Sequence, residues 1–177
     1  MNINYQKIQT NKNELESGTG VCRISAIFPN FFDKLPTRYK KLKKLKNILL
    51  QVSENRIDIY NNNDKVGSVE MTLHKKPFKY YMINDLTVNS NFLNQGYGDL
   101  LIEVLNSFLT TNNVVGILIN GVDIDNVKNS YQRFYLKLFL YINHGWEVIS
   151  EVEGVPYYMI LNPTGVNTDK LKKMFMQ

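Results

Sequence analysis

The sequence predicts one α/β (α+β) domain around a mixed, mostly antiparallel central sheet of about six to seven strands, with helices on both faces. The chain has 177 residues, of which 44% are hydrophobic, and this is enough to bury one core. Along the chain, segments with an apolar period of 2 alternate with segments of period 3.6. One strand–helix–strand unit near the middle predicts a parallel pair, whereas the hairpins around it predict antiparallel pairing.

Composition divides the chain into three parts. Residues 1–18 are polar and predict a flexible lead-in, residues 19–163 hold the periodic segments of the domain, and residues 164–177 form a polar tail with one short helical fragment. The N-terminus lacks the apolar run of a signal peptide, and no stretch approaches the roughly 18 apolar residues of a membrane span. We therefore expect a cytoplasmic protein that does not enter membranes.

The first elements are predicted to be a strand, a basic helix and a meander. Residues 20–28 have the composition of a strand, which Pro29 ends. From Thr37 to about Glu54, apolar residues recur at helical spacing and basic residues lie between them. Three strands with period 2 follow as an antiparallel meander, over 56–60, 65–73 and 80–88.

Helices and strands alternate in the second half. An apolar stripe from Leu100 to Leu109 predicts a helix that lies on a sheet. The nearly all-apolar segment 114–119 predicts a central strand buried on both faces. A third helix is expected over about 125–143, before Gly145. The last two predicted strands are 146–151 and 155–161.

Composition also limits the kinds of site. Cys22 is the only cysteine, which excludes a disulfide framework and a cysteine-based metal site, and we expect it to be a small buried residue. The histidines His74 and His144 have no metal-ligand spacing and no nucleophile partner, so we expect no metal. The net charge of +5 is compatible with an acidic partner.

The most informative segment is the loop before the second long helix. Gly96 and Gly98 lie immediately before the apolar stripe. Backbone N–H groups at a helix start lack intrahelical acceptors and lie at the positive end of the helix dipole, so they form an anion site. Glycine lets the main chain approach a phosphate closely. The pattern is not a Rossmann fingerprint, because the third glycine is missing, and it is not a Walker loop, because no Gly-Lys-Ser/Thr follows.

This segment resembles the acetyl-CoA motif of the GNAT N-acetyltransferase superfamily. The matching segments are the strand end 86–88, the glycines of 96–98, the helix residues 100–101, the Tyr-x-x-x-Gly-aromatic segment 141–147 and the Tyr-Tyr-Met strand 156–160. Leu93 departs from the pattern, since the family usually has Arg or Gln there. The resemblance covers about 56–161, and residues 1–55 agree only in layout. It implies a GNAT-like fold and an acetyl-CoA-dependent N-acyltransferase that moves an acetyl group to an amine by direct attack on the thioester.

The resemblance also implies which residues bind acetyl-CoA. The main chain of Leu86 and Val88 would pair with the pantetheine arm, and one backbone N–H would polarise the thioester carbonyl. Asn126 or Asn129 would contact a pantetheine amide. The pyrophosphate would be bound by the backbone amides of Asn94, Gln95, Gly96, Tyr97 and Gly98.

Candidate catalytic residues follow from the two proton transfers of such a reaction. Tyr141 is implied as the acid for the departing thiolate, with Tyr135 as the alternative in a shifted register. Asp85 is the first candidate base for the acceptor ammonium. Strict alternation puts it on the face opposite Leu86, and a bulge would be needed to re-aim it. Glu70 is a second candidate, and a water relay is a third route.

The basic helix 38–46 leaves two other functions open. Its cations form either a solvated face or a surface for an acidic partner. The chain would then be a non-catalytic GNAT-like module that binds nucleic acid or an acidic protein, or a GNAT-like transferase that modifies a nucleic-acid base. The candidate partner-binding residues are Lys40, Lys41, Lys43 and Lys44. The sequence does not identify the acceptor amine, which belongs to a small molecule or a protein.

Overall fold

The computed structural model describes residues 22–35, 37, 42, 44–45, 47–119, 141–152 and 154–175. Its strands are β1 (Cys22–Arg23), β2 (Leu49–Val52), β3 (Arg56–Asn61), β4 (Asp64–His74), β5 (Tyr80–Val88), β6 (Val115–Ile119), β7 (Glu147–Val152) and β8 (Val155–Leu161). Its helices are α1 (Ile24–Ile27), α2 (Phe31–Lys34), α3 (Tyr97–Asn112) and α4 (Thr168–Phe175).

The strands form one eight-stranded sheet with the order β1-β2-β3-β4-β5-β6-β8-β7. Within it, β5 and β6 pair in parallel and the other neighbouring strands pair antiparallel. The predicted class is confirmed, with more strands than the predicted six to seven.

Two apolar clusters lie on opposite faces of this sheet. Successive residues of β5 belong to different clusters, because side chains alternate along a strand. Tyr81 packs edge-on against Phe108 of α3, with ring centroids 5.3 Å apart. Tyr80 packs against Phe175 of α4, with centroids 5.8 Å apart. Helices therefore cover both faces, as the sequence predicts.

Helix α3 forms where the apolar stripe predicts it. The stripe residues Leu100, Leu101, Val104, Leu105, Phe108 and Leu109 have no exposed surface. Burial of each such side chain contributes about 1.5–3 kcal/mol. The helix ends at Asn113, which has a left-handed φ of 52° and donates its N–H to Leu109 O and Thr110 O. Asparagine tolerates this conformation better than most residues, so it can terminate the helix in place of glycine.

The N-terminal third corrects two predictions. The predicted strand 20–28 is strand only at Cys22–Arg23, and α1 follows at once. The predicted helix from Thr37 to about Glu54 is wrong at its C-terminal end, where β2 pairs with β3. The short apolar run 48–50 fits a buried helix or a strand equally well, and here pairing with the edge of β3 satisfies the backbone of β2.

The C-terminal part agrees with the predicted hairpin, since β7 and β8 are antiparallel neighbours. Of the predicted helix 125–143, residues 141–143 are described and are helical, and the rest lies outside the described residues. In the tail, α4 buries Leu171 completely against the sheet. The predicted lead-in 1–18 also lies outside the described residues. None of the described helices combines the length and apolar character needed to cross a membrane.

Candidate functional site

Strands β5 and β6 pair over only part of β5. The register runs from Tyr80 opposite Val115 to Ile83 opposite Leu118. Beyond Ile83, β5 continues to Val88, whereas the next residue of β6 pairs with β8 on the other side. No described strand pairs with the β6-facing edge of 86–88. We call this unpaired stretch the open edge of β5.

A β-bulge lies at the point where the two strands part. On β4, Glu70 is opposite Asp85 and the next residue, Met71, is opposite Ile83, so Asn84 is the extra residue. A bulge shifts the alternation of side chains by one residue. Leu86 therefore faces the same apolar cluster as Ile83. The alternation of side chains therefore changes between Ile83 and Asp85, next to the candidate base.

Backbone groups of Leu86 and Val88 are directed toward the open edge. The Asn89 N–H donates to Val66 O of β4 at 2.8 Å. In an antiparallel pair, alternate residues direct both N–H and C=O toward the same neighbour. Thr87 and Asn89 therefore direct their N–H and C=O groups toward β4. Leu86 and Val88 alternate with them and direct their N–H and C=O groups away from β4. These are the two residues for which the sequence predicts main-chain pairing with an extended ligand.

Helix α3 begins next to the open edge without a side-chain cap. Its N-cap is Gly96, with a left-handed φ of 89° and no capping hydrogen bond from a side chain. The first helical bond is donated by the Leu100 N–H to Gly96 O. Among the described residues, the backbone N–H groups of 94–99 have no acceptor. They include all five predicted pyrophosphate donors, Asn94, Gln95, Gly96, Tyr97 and Gly98.

Side chains around this turn hold its shape. Asn94 also has a left-handed φ, of 60°. Gln95 donates its side-chain amide to Asn91 O at 3.1 Å, which braces the loop. The Tyr97 ring is buried and packs on Phe92, and its hydroxyl oxygen accepts a hydrogen bond from the Asn61 side-chain amide. The turn is thus anchored by side chains while its N–H groups remain available.

The negative charge of Asp85 acts on the buried hydroxyl of Tyr141. The Tyr141 side chain is buried, and its hydroxyl has no hydrogen-bond partner among the described residues. Burial raises the pKa of this hydroxyl above its ordinary value, and the negative charge of Asp85 raises it further. Asp85 is exposed and accepts a hydrogen bond from the Thr87 hydroxyl at 2.6 Å. A buried hydroxyl without a hydrogen-bond partner lowers the free energy of unfolding by about 1–3 kcal/mol. A native structure that contains such a group therefore needs an explanation for it.

The other candidate base has a partner of its own. Glu70 forms an ion pair with Arg56, which also contacts Asp58 at 2.9 Å. Glu70 is therefore held by a cation, whereas Asp85 contacts the neutral hydroxyl of Thr87.

A cluster around His144 was not predicted. The imidazole is completely buried, and its nitrogens lie 2.7 Å from Asp99 Oδ1 and 2.5 Å from Glu103 Oε1. Burial by itself lowers the pKa of His144, but hydrogen bonds to the two carboxylates and their charges more than offset this, so the pKa is raised. No sequence signal marks the cluster, because 41 positions separate Glu103 from His144.

A second contact ties the same segment to α3. The Asn106 side chain donates to His144 O at 2.9 Å and accepts from the Trp146 indole N–H at 2.8 Å. Trp146 packs edge-on against Tyr141, with centroids 5.0 Å apart. Helix α3 therefore holds the segment 141–146, which contains Tyr141, in place. The start of the same helix lies at the open edge. We call the segment 141–146 the tyrosine segment.

Several predicted residues lie outside the described part of the chain. These are Asn126, Asn129, Tyr135, Lys40, Lys41 and Lys43. Lys44 is described, is exposed and has a 3₁₀ rather than an α-helical conformation, as do Thr37, Leu42 and Leu45. Cys22 is buried, and His74 stacks on Tyr80. In the described part of the chain no three His, Cys, Asp or Glu side chains are grouped so that they could hold a metal ion.

Several GNAT acetyltransferases are among the solved structures that are similar to this one. A GNAT-family acetyltransferase from Streptococcus pneumoniae is 18% identical over 62% of this chain and 67% of that chain, with a TM-score of 0.43. The ribosomal-protein-S18-alanine N-acetyltransferase of Escherichia coli is 14% identical over 79% of this chain and 89% of that chain, with a TM-score of 0.44. An Elizabethkingia anophelis GNAT acetyltransferase with acetyl-CoA bound is 15% identical over 73% of this chain and 92% of that chain, with a TM-score of 0.43.

The mixed eight-stranded sheet with helices on both faces has the α/β class that the sequence predicts. No protein-family model matches the sequence, and no curated protein matches it. At such low identity, these similarities specify neither the acceptor nor the mechanism.

Proposed function

We propose that this protein is an acetyl-CoA-dependent N-acyltransferase that moves an acetyl group from the thioester to an amine by direct attack. The observation that carries the proposal is the open edge of β5 beside the uncapped start of α3. These two features offer backbone donors to an extended amide-containing chain and to a diphosphate within one short stretch of sequence, and acetyl-CoA contains both groups.

The diphosphate would bind at the start of α3. Backbone N–H groups there are aligned with the positive end of the helix dipole, which favours anions. The left-handed conformations of Asn94 and Gly96 turn successive N–H groups toward one side of the loop. A side chain at position 96 would be strained at its φ of 89°, so glycine is needed there.

The pantetheine arm would pair with the open edge as a short additional strand. Its amides would exchange hydrogen bonds with the main chain of Leu86 and Val88, as in strand addition to a sheet. One of these N–H groups would then polarise the thioester carbonyl. Such a donor is worth about 3 kcal/mol in the transition state.

Tyr141 would act as the general acid. When the amine nitrogen forms its bond to the acetyl carbon, the C–S bond breaks and the thiolate leaves with both electrons. The buried hydroxyl of Tyr141 stays protonated because its pKa is raised. It would donate its proton to the departing thiolate, and the second proton that the new amide nitrogen loses would restore the phenol, so that the products are the amide and the free thiol. Asp85 would accept the proton that the acceptor ammonium loses, directly or through water.

The test is acetyl-CoA binding followed by turnover. We expect acetyl-CoA to bind in calorimetry and to raise the melting temperature, and a panel of amines to contain acceptors that release free thiol. Tyr141→Phe should lower kcat by about 10²–10⁴-fold without changing the affinity for acetyl-CoA. Tyr157→Phe on β8 is the matched control and should leave both unchanged. Absence of acetyl-CoA binding would exclude the proposal, and an equal effect of both variants would remove Tyr141 from the mechanism.

A further inference from the structure

The contacts of His144 require the charged imidazolium. Asp99 and Glu103 lie one helical turn apart on α3, and each is within hydrogen-bond distance of a different ring nitrogen. A neutral imidazole has one N–H, whereas the imidazolium has two, so only the charged form donates to both carboxylates. Without that positive charge, two negative charges would lie on the same face of one helix, which is destabilising.

Asp99 lies at the place where a negative charge matters most for an anionic ligand. It belongs to the first turn of α3, and its carboxylate is partly exposed, at 35% of the side-chain surface. The N–H groups of that turn are the ones that would bind the diphosphate. An uncompensated carboxylate beside them would repel the ligand, since like charges in partly desolvated surroundings interact over several ångströms.

We propose that His144 is a positioning residue which, as an imidazolium, neutralises Asp99 beside the diphosphate site and fixes the tyrosine segment on α3. This inference rests on the proposed function, because it concerns binding of the same co-substrate. It adds a dependence on pH that the open edge and the helix start do not have by themselves.

The groups around the imidazole define which titration is expected. From α3, the charged groups in contact with it are Asp99 and Glu103. The neighbouring residues of its own chain segment contribute Tyr141, whose raised pKa keeps it neutral, and Glu147, which is exposed. The raised pKa of His144 means that the imidazole stays charged to a higher pH than an unperturbed histidine. Affinity should therefore fall as the pH rises through that pKa, above the ordinary value of about 6.5.

The experiment is a calorimetric titration of acetyl-CoA into the full chain over a pH series that starts near 6. We expect wild-type affinity to fall by about three- to tenfold across the titration of His144. His144→Gln should bind at the weaker level throughout, without this transition. Ionisation of the phosphates of acetyl-CoA is the same in both series, so the difference between the two curves isolates the protein group.

Asp99→Asn supplies the readout that a merely structural role would not give. It removes the negative charge, so binding at neutral pH should become about two- to fivefold tighter, and the pH transition should shrink. Glu103→Gln is the matched control one turn further along the helix, where the effect on a bound anion should be smaller. A structural role alone would make all three variants bind more weakly.

Two results would separate the possible failures. If wild type does not bind acetyl-CoA at any pH, the proposed function itself is wrong. If wild type binds but its pH series is parallel to that of His144→Gln, or Asp99→Asn weakens binding, the inference about His144 is wrong and the proposed function stands. If His144→Gln does not fold, the affinity of Asp99→Asn for acetyl-CoA decides the test. The Asp99 side chain is partly exposed, so replacing it leaves the core intact.

Discussion

The two edges of β5 differ in how far they are paired with neighbouring strands. On one edge, β5 pairs with β4 from Tyr80 opposite His74 to Val88 opposite Gly67, with one bulge. On the other edge, pairing with β6 stops after Ile83. The same strand is therefore scaffold on one side and a row of available backbone donors and acceptors on the other. The difference shows how a sheet can offer a binding edge at its centre, where a strand is held in place by its other neighbour.

Proline substitutions at adjacent positions give the largest expected difference between the two edges. Thr87→Pro removes an N–H that faces β4 and should lower the free energy of unfolding by about 3 kcal/mol or more. Val88→Pro removes an N–H that faces the open edge, so it should cost less stability while weakening acetyl-CoA binding. Denaturant unfolding and calorimetry measure the two effects. If Val88→Pro is the more destabilising of the pair, its N–H is engaged within the protein and the comparison fails.

Gly67→Ala tests how tightly the paired edge is packed. A Cβ at this position would lie 2.5 Å from Thr87 O and 3.0 Å from a methyl group of Leu101. Because the first of these atoms is backbone, β4 and β5 would have to shift, at a cost of about 1–3 kcal/mol. Urea unfolding measures this. Wild-type stability in this variant would mean that the two strands are not held as closely as described.

Stability should also depend on pH through His144. Because its folded-state pKa is raised, its contribution is fully present below the unfolded pKa of about 6.5 and is lost as the pH rises through the folded value. The effect should be smaller than that of Gly67→Ala. Urea unfolding at several pH values should show a fall for wild type that His144→Gln lacks. His74→Gln is the control and should keep the wild-type fall in stability with pH. If His74→Gln also lacks this fall, the pH dependence does not belong to His144 alone.

Leu93→Arg should produce the smallest effect, on the open side of the comparison. Leu93 is a large apolar residue with 48% of its surface exposed, in the loop before α3. A cation there should tighten acetyl-CoA binding by about two- to threefold at low salt, and the gain should decrease as salt is added. Leu93→Gln is the uncharged control. Equal gains from both variants would exclude charge as the reason.

Sequence patterns predicted the centre of the molecule better than its ends. The stripe of α3 has a strong period, and the segment 80–88 lies between turn signals, so both elements were found. The segment 49–52 was assigned to a helix because a short apolar run has no distinctive period. Its identity as a strand comes from pairing with β3, and pairing partners are not encoded locally.

The candidate site was predictable to a similar extent and for the same reason. Backbone donors at the loop of Gly96 follow from local sequence, since glycines before an apolar helix indicate the turn. The bulge at Asn84 arises from the register between β4 and β5, which depends on both strands. The ion cluster of His144 joins residues far apart in the chain, so only the fold brings it together.

Backbone amide chemical shifts on adding acetyl-CoA test the central claim most directly. The open edge and the helix start predict large shifts for the N–H groups of Leu86, Val88 and 94–98. The N–H groups of Thr87 and Asn89, which face β4, should change little. Equal shifts on both edges of β5, or no shift at the start of α3, would contradict the account.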